Sequence, residues 1–491
     1  RHLIEPAFIH RRDMGAVIEE FGCVMAQGEA GLGEGGGHGW LLAQQIVHGE
    51  ACYDTWCLDP RRFTGHANVE LTALKAIEDY QNEFRFHFPN EHRPAGRMAK
   101  TTPLTPVLEA QGAAFTVVNG WERAEYFKPA PDFHPCHTFR FDETHEVVAA
   151  EVTAVQHGVG LCEVNGFNRI EITGSDAQSF LDRMICGRLP RRTGRVGLAY
   201  LLNRQGMLKA EATIANLPAS DRGPVRIWYG SAAAAEFHDL DWLQDHLGPD
   251  EDVQITSLTN DQTILVLAGP KAREVMQAVS RADWSAAAFP WLSVRECFIG
   301  IAPATVMAVS FSGELAYEIH VPNASLYAAY MALRAAGEAD GMALFGAHAV
   351  ESMRLEKGYL HWKSEIITEF DPFETGLDRF VDLDKPDFVG KAALLKRRAD
   401  GPTRELVSLC LEDNSAPAHG GASVMRGRDV IGTVTSGGYG HRVGMNLAYA
   451  FIDSGQIPEA GQICIDVLGA PVPARIVDRV LYDPKMIRVR A

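Results

Sequence analysis

Ser312-Gly313-Glu314-Leu315-Ala316-Tyr317-Glu318-Ile319-His320-Val321-Pro322 holds a turn and a strand within one short stretch. Ser-Gly-Glu is turn chemistry, so residues 305–322 read as a hairpin with its bend at 312–314. In the second strand Tyr317, Ile319 and Val321 share one face, and Ala316, Glu318 and His320 share the other. Apolar spacing then predicts helices over about 324–337 and 347–357, the second stopped by Gly358. Strands that alternate in this way, followed by separate helices, make the fold class α+β.

Upstream, Phe167-Asn168-Arg169-Ile170-Glu171-Ile172-Thr173 alternates like a half-buried strand. After Gly174, Ser175 and Gln178 have capping-box spacing and open a helix with Phe180, Leu181, Met184 and Ile185 on its apolar face. About 95 residues later the unit recurs: Leu265-Val266-Leu267-Ala268, then Gly269-Pro270, then Ala272, Val275 and Met276. This predicts a duplicated strand–turn–helix module. From about 405, short strands and turns predict a small all-β terminal domain. Toward the start, 60–130 is mixed and helical, and Pro129–Pro135 reads as a linker. Residues 21–26 read as a short strand, followed by glycines 31–39 and a helix from about Trp40 to His48.

Composition is that of an ordinary globular protein, 46% hydrophobic and 22% charged over 491 residues. About three domains are expected at that length. No apolar run reaches the roughly 20 residues a membrane-spanning helix needs. The balance of 63 acidic against 46 basic residues (net charge −17) argues against nucleic-acid binding, because a polyanion would be repelled. The nine cysteines are never spaced CxxC and read as free thiols in a reducing compartment, neither a disulfide framework nor a zinc site. Arg1 is not a natural start, so sequence upstream is expected to have been removed or to belong to another piece.

Four places carry candidate chemistry. Gly31-Leu32-Gly33-Glu34-Gly35-Gly36 satisfies the GxGxxG pattern, whose bare amides at a helix N-terminus suit an anion or an electron-rich cofactor edge. No βαβ unit follows it, and a plain turn into a helix serves as well. Glu211 and Thr213 point the same way from an otherwise apolar strand. A solvent-facing edge strand satisfies both groups, whereas a dry pocket would raise the carboxyl's proton affinity and suit acid/base work. Glu318, flanked by Tyr317 and Ile319, is either partly exposed or paired with a ligand offering two N–H donors. Arg354 and Lys357 sit in the last turn of a helix, where cations favour the dipole. The histidines show no metal spacing.

Gly120-Trp121-Glu122-Arg123 with Tyr126-Phe127 resembles a signature of the dimethylglycine and sarcosine dehydrogenases. Gly269-Pro270, Ser312–Pro322, Arg354-Leu355-Glu356-Lys357-Gly358 and Asp387-Phe388-Val389-Gly390-Lys391 resemble the glycine-cleavage T-protein module fused to those enzymes. Thr435-Ser436-Gly437-Gly438-Tyr439 resembles the barrel that closes it. The resemblance implies a flavin-domain tail over 1–58 and a middle domain over 59–139. It further implies a T-protein-like folate domain built from duplicated modules over 140–392, then a β-barrel over 393–491. It implies FAD and tetrahydrofolate as cofactors and oxidation of an N-methyl amine such as dimethylglycine or sarcosine. The one-carbon unit would pass to folate. By position, Glu211 matches a catalytic aspartate beside the reacting folate nitrogens, with Thr213 next to it. Glu318 matches a pterin-binding glutamate, and Phe311 stands where the family has tyrosine. Arg354 is placed in the folate site, while Gly35, Gly36, Gly37 and His38 contact FAD. Implied partners are a flavoprotein portion or subunit, the amine and an electron acceptor, in an oligomer located in the cytoplasm or, in a eukaryote, the mitochondrial matrix. The rival readings are a flavin-free T-protein-like aminomethyl- or methyltransferase and a folate-free structural subunit.

Overall fold

The computed structural model describes residues 31–56, 59, 62, 65–457 and 463–491. The strand expected over 21–26 lies outside them. Among the described residues the first element is a helix, Gly31–His48, and a second helix runs over Val69–Gln81. The helix expected from Trp40 thus begins nine residues earlier and takes the whole glycine run inside it. From Gly35 onward each amide faces a carbonyl four residues back, so the amides of Gly35, Gly36 and Gly37 are used within the helix. No Cβ added at Gly35, Gly36 or Gly37 would meet anything within 4 Å.

The hairpin β1 (Ala113–Val118) and β2 (Trp121–Phe127) comes next. It leads by way of the helix Thr144–His157 to β3 (Gly160–Val164) and β4 (Phe167–Thr173). Then follow β5 (Arg195–Leu202), β6 (Leu208–Leu217), β7 (Arg226–Ala233) and β8 (Gln254–Ser257). After them come β9 (Gln262–Ala268), β10 (Val294–Ile299), β11 (Ala302–Met307), β12 (Ala316–Pro322) and β13 (Ala343–Leu344). They form two sheets, of order β5-β6-β7-β4-β8 and β10-β11-β12-β9-β3-β13. A closed barrel completes the chain: β14 (Arg404–Leu411), β15 (Ser423–Arg426), β16 (Asp429–Gly440), β17 (Met445–Asp453), β18 (Ile463–Val467) and β19 (Ala470–Val477).

The repeat read from the sequence is real in three dimensions, one copy in each sheet. Gly174 ends β4 with φ +115°, and Gly269 ends β9 with φ +124°. Each stands against a backbone carbonyl that a Cβ would strike, Asp252 O at 2.0 Å and Gly158 O at 2.4 Å. Each helix starts three residues later, at Ala177 and Ala272. Phe180, Leu181 and Met184 bury into one core, and Val275 and Met276 into the other. The expected capping box does not form. Ser175 instead gives its hydroxyl and its amide to Asp252 Oδ2, at 2.8 and 2.9 Å.

Helices cover one face of each sheet, and the remaining faces meet. Val196, Ala215 and Trp228 from the first sheet pack on Val294 and Met307 from the second. The break expected near residue 140 is not a packing break. Leu104, Leu108, Ala113 and Ala124 share a core with Leu265, Tyr317 and Ile319, because the strand alternation read from Tyr317 turns that face inward. The hairpin is thereby part of the second sheet's domain.

Candidate functional site between the two sheets

The strand β6 alternates buried and half-buried residues, with Ala210, Ala212 and Ile214 in the helix-covered core. Glu211 and Thr213 therefore face the other sheet. β6 lies between β5 and β7, so the edge-strand reading of Glu211 is incorrect. Antiparallel register sets Tyr200 directly opposite it, and the Tyr200 hydroxyl donates to Glu211 Oε2 at 2.5 Å. Burial pushes the Glu211 carboxyl up to about 7, opposed by that hydrogen bond and by the charge of Arg479. A carboxyl titrating there can take and return a proton near neutrality. On β7, Gly230 stands opposite Thr213 and leaves the face beside it without a side chain.

Glu318 lies inside the second sheet between β11 and β9, its side chain 29% exposed. As the alternation predicts, Tyr317, Ile319 and Val321 are fully buried on the helix side. Phe311, in the loop between β11 and β12, is 37% exposed and stacks on Tyr359 with ring centroids 5.8 Å apart. The segment after Gly358 then joins the two sheets. Tyr359 lies on Phe311, while the Trp362 indole N–H donates to the Lys209 carbonyl on β6, at 3.3 Å. One strap thus touches Phe311 through Tyr359 and, through Trp362, the β6 residue two positions before Glu211.

Arg354 does not face that space. It is buried, bonded to Glu351, paired with Glu365 at 3.5 Å, and donates to the Tyr359 carbonyl at 3.2 Å. Glu365 in turn accepts from Thr435 Oγ1 at 2.7 Å and from the Ser436 hydroxyl on the barrel. Arg354 thus positions the strap that carries Tyr359, in place of the helix-dipole role read from its place in the chain. Lys357 likewise donates to the Asp483 carbonyl at 2.7 Å. Glu314, at the hairpin bend, accepts from Arg442 at 2.8 Å and Arg488 at 2.5 Å. The motif charges around 314 and 354–357 are mostly a buried lattice that locks the barrel to the sheets. Gly35, Gly36 and Gly37 stand exposed on their helix. Tyr200 and Trp362 were missed from the sequence. The turn sets Leu202 opposite Leu208, and an irregularity between Leu201 and Leu202 then brings Tyr200, not Ala199, opposite Glu211, which counting back through the turn would not have shown.

Residues 104–385 match the GCVT N-terminal domain, and 404–483 match the glycine cleavage T-protein C-terminal barrel domain. The chain belongs to the glycine cleavage T-protein family. Residues 48–102 also match the FAD dependent oxidoreductase central domain. The T-protein match starts within the hairpin-bearing region, in agreement with its packing. The mitochondrial dimethylglycine dehydrogenase of Rattus norvegicus is 32% identical over 467 residues, 94% of this chain and 54% of that protein. The mitochondrial sarcosine dehydrogenase of Homo sapiens is 28% identical over 501 residues, 93% of this chain and 54% of that protein. The chain thus spans about half the length of these relatives, and the resemblance drawn from its motifs holds. Aminomethyltransferase T from Bartonella henselae shares the T-protein fold, with TM-score 0.67 and 21% identity over 78% of this chain and 98% of that one.

Proposed function

We propose that this chain binds reduced folate between its two sheets and serves as the one-carbon-accepting portion of a flavin-dependent N-methyl amine demethylase. The observation that carries the reading is a dry carboxyl poised near neutrality, Glu211 under Tyr200, in a fold whose second sheet carries an accessible Glu318. Glu318 would accept the adjacent N–H donors of the pterin edge, and a carboxylate takes two such donors in parallel. Phe311, backed by Tyr359, offers a stacking face that needs no hydroxyl. Glu211 as carboxylate takes the proton released when a folate nitrogen bonds to the one-carbon unit. It returns that proton when the amine or water leaves.

FAD, when bound, supplies the two-electron oxidation that raises the N-methyl carbon to the formaldehyde level. The amides of Gly35, Gly36 and Gly37 are used within a helix and are not free to meet it. In this reading the flavin is held by a partner portion, whether another part of the same polypeptide or a separate subunit. Dimethylglycine and sarcosine are the proposed substrates, after the names of the relatives.

Calorimetry with tetrahydrofolate tests the reading. The wild-type chain should bind, and Glu318→Gln should weaken binding by about 1–3 kcal/mol because one acceptor oxygen becomes a donor. No heat at millimolar tetrahydrofolate would refute it.

A further inference from the structure

Glu318 and His320 stand two residues apart on the same face of β12. The carboxylate is open to the space between the sheets, while His320 behind it is 3% exposed. The imidazole Nε2 lies 3.7 Å from Glu318 Oε2, just beyond a hydrogen bond, and neither ring nitrogen has a hydrogen-bond partner. Trp228 on β7 packs edge-on against the ring with centroids 4.9 Å apart, which blocks retreat toward the other sheet. Arg169 on β4 is also buried. Its Nη2 donates to the Thr259 carbonyl at 2.7 Å, and its Nε and Nη1 have no partner.

Unpaired nitrogens in a dry interior are unfavourable, so a small movement that gives one of them an acceptor is favoured. Burial keeps the His320 ring neutral, with Glu318 opposing that effect and Arg169 adding to it. A neutral imidazole has one N–H, and the nearby acceptor it can reach is Glu318 Oε2.

We propose that His320 is a positioning residue for Glu318, its Nε2–H closing onto Oε2 when a ligand with adjacent N–H donors draws on that carboxylate. The inference rests on the folate reading of Glu318. Two parallel hydrogen bonds need the carboxylate held in the plane of the ligand edge. A side chain free to rotate loses part of that gain, and a fixed donor behind one oxygen restores it, as outer partners do for metal-binding side chains. Trp228 supplies the fixity.

The test is a double-mutant cycle on the full chain, read by tetrahydrofolate affinity. His320→Leu should weaken binding about tenfold. His320→Gln, whose Nε2 can reach the same oxygen, should stay within about threefold of wild type. In a Glu318→Gln background, His320→Leu should change affinity by less than about twofold. Equal losses in both backgrounds would mark a merely structural histidine and overturn the proposal, as would a wild-type affinity in His320→Leu. Failure of the wild-type chain to bind tetrahydrofolate would instead remove the folate reading and this inference with it.

Discussion

Glu211→Gln replaces a carboxyl held near pH 7 by a neutral group of the same shape, and its effect on stability follows from linkage. Released from the fold, a glutamate titrates at its ordinary value of 4.5, while burial raises Glu211 to about 7. Between these values the native state holds a proton that the unfolded state has lost. Stability therefore falls as pH rises from about 4.5 to about 7, and the loss is complete above that. A pKa gap of about 2.5, at about 1.4 kcal/mol per unit, corresponds to about 3 kcal/mol. Glu151 and Glu163 are also raised to about 7 by burial, so only the difference between wild type and variant isolates Glu211. Urea unfolding at pH 4.5, 6 and 8 should show the two proteins close at pH 4.5 and Glu211→Gln more stable by about 3 kcal/mol at pH 8. The Tyr200 hydroxyl keeps an acceptor in the variant, so packing loss does not mask the effect. Parallel pH curves for the two proteins would show that Glu211 ionises without penalty, and the acid/base reading would then fail.

Arg354→Met leaves the buried Glu365 without its cation and should cost about 3–5 kcal/mol, seen as a large fall in Tm. A variant as stable as wild type would contradict the lattice described here. Gly269→Ala should lower stability by more than about 2 kcal/mol, since φ is +124° and the new Cβ would stand 2.4 Å from the Gly158 carbonyl. Gly341→Ala, at φ +66° with nothing within 4 Å, should cost about 1 kcal/mol and serves as the control in the same denaturation series.

Residues 312–322 were legible because strand period and turn chemistry are local. A side chain two positions on returns to the same face whatever packs against it, so Tyr317, Ile319 and Val321 could be assigned inward before any neighbour was known. Gly358 was legible for the same reason: it takes φ +78° at the end of the helix Ala347–Lys357. The two strand–glycine–helix modules and the barrel followed from repetition of such local signals. At the glycine run the local signals fit either a cofactor-facing turn or a helix entry, and the structure shows the run inside a helix.

The chemistry of the site depended on contacts far apart in the chain. The state of Glu211 turns on burial, on Tyr200 from the neighbouring strand and on the charge of Arg479 far along the chain. Arg354 looks like a helix-end cation until Glu365 closes on it, held by Thr435 and Ser436 some 70 residues later. His320 looks like any strand residue until Trp228 from the other sheet meets it. The sequence by itself determined periodicity, turns and repeats, because these depend on neighbours within a few residues. Tertiary structure alone decided which carboxylates are dry and which charges are paired, because desolvation and Coulomb energy depend on everything within several ångströms, wherever it lies in the chain.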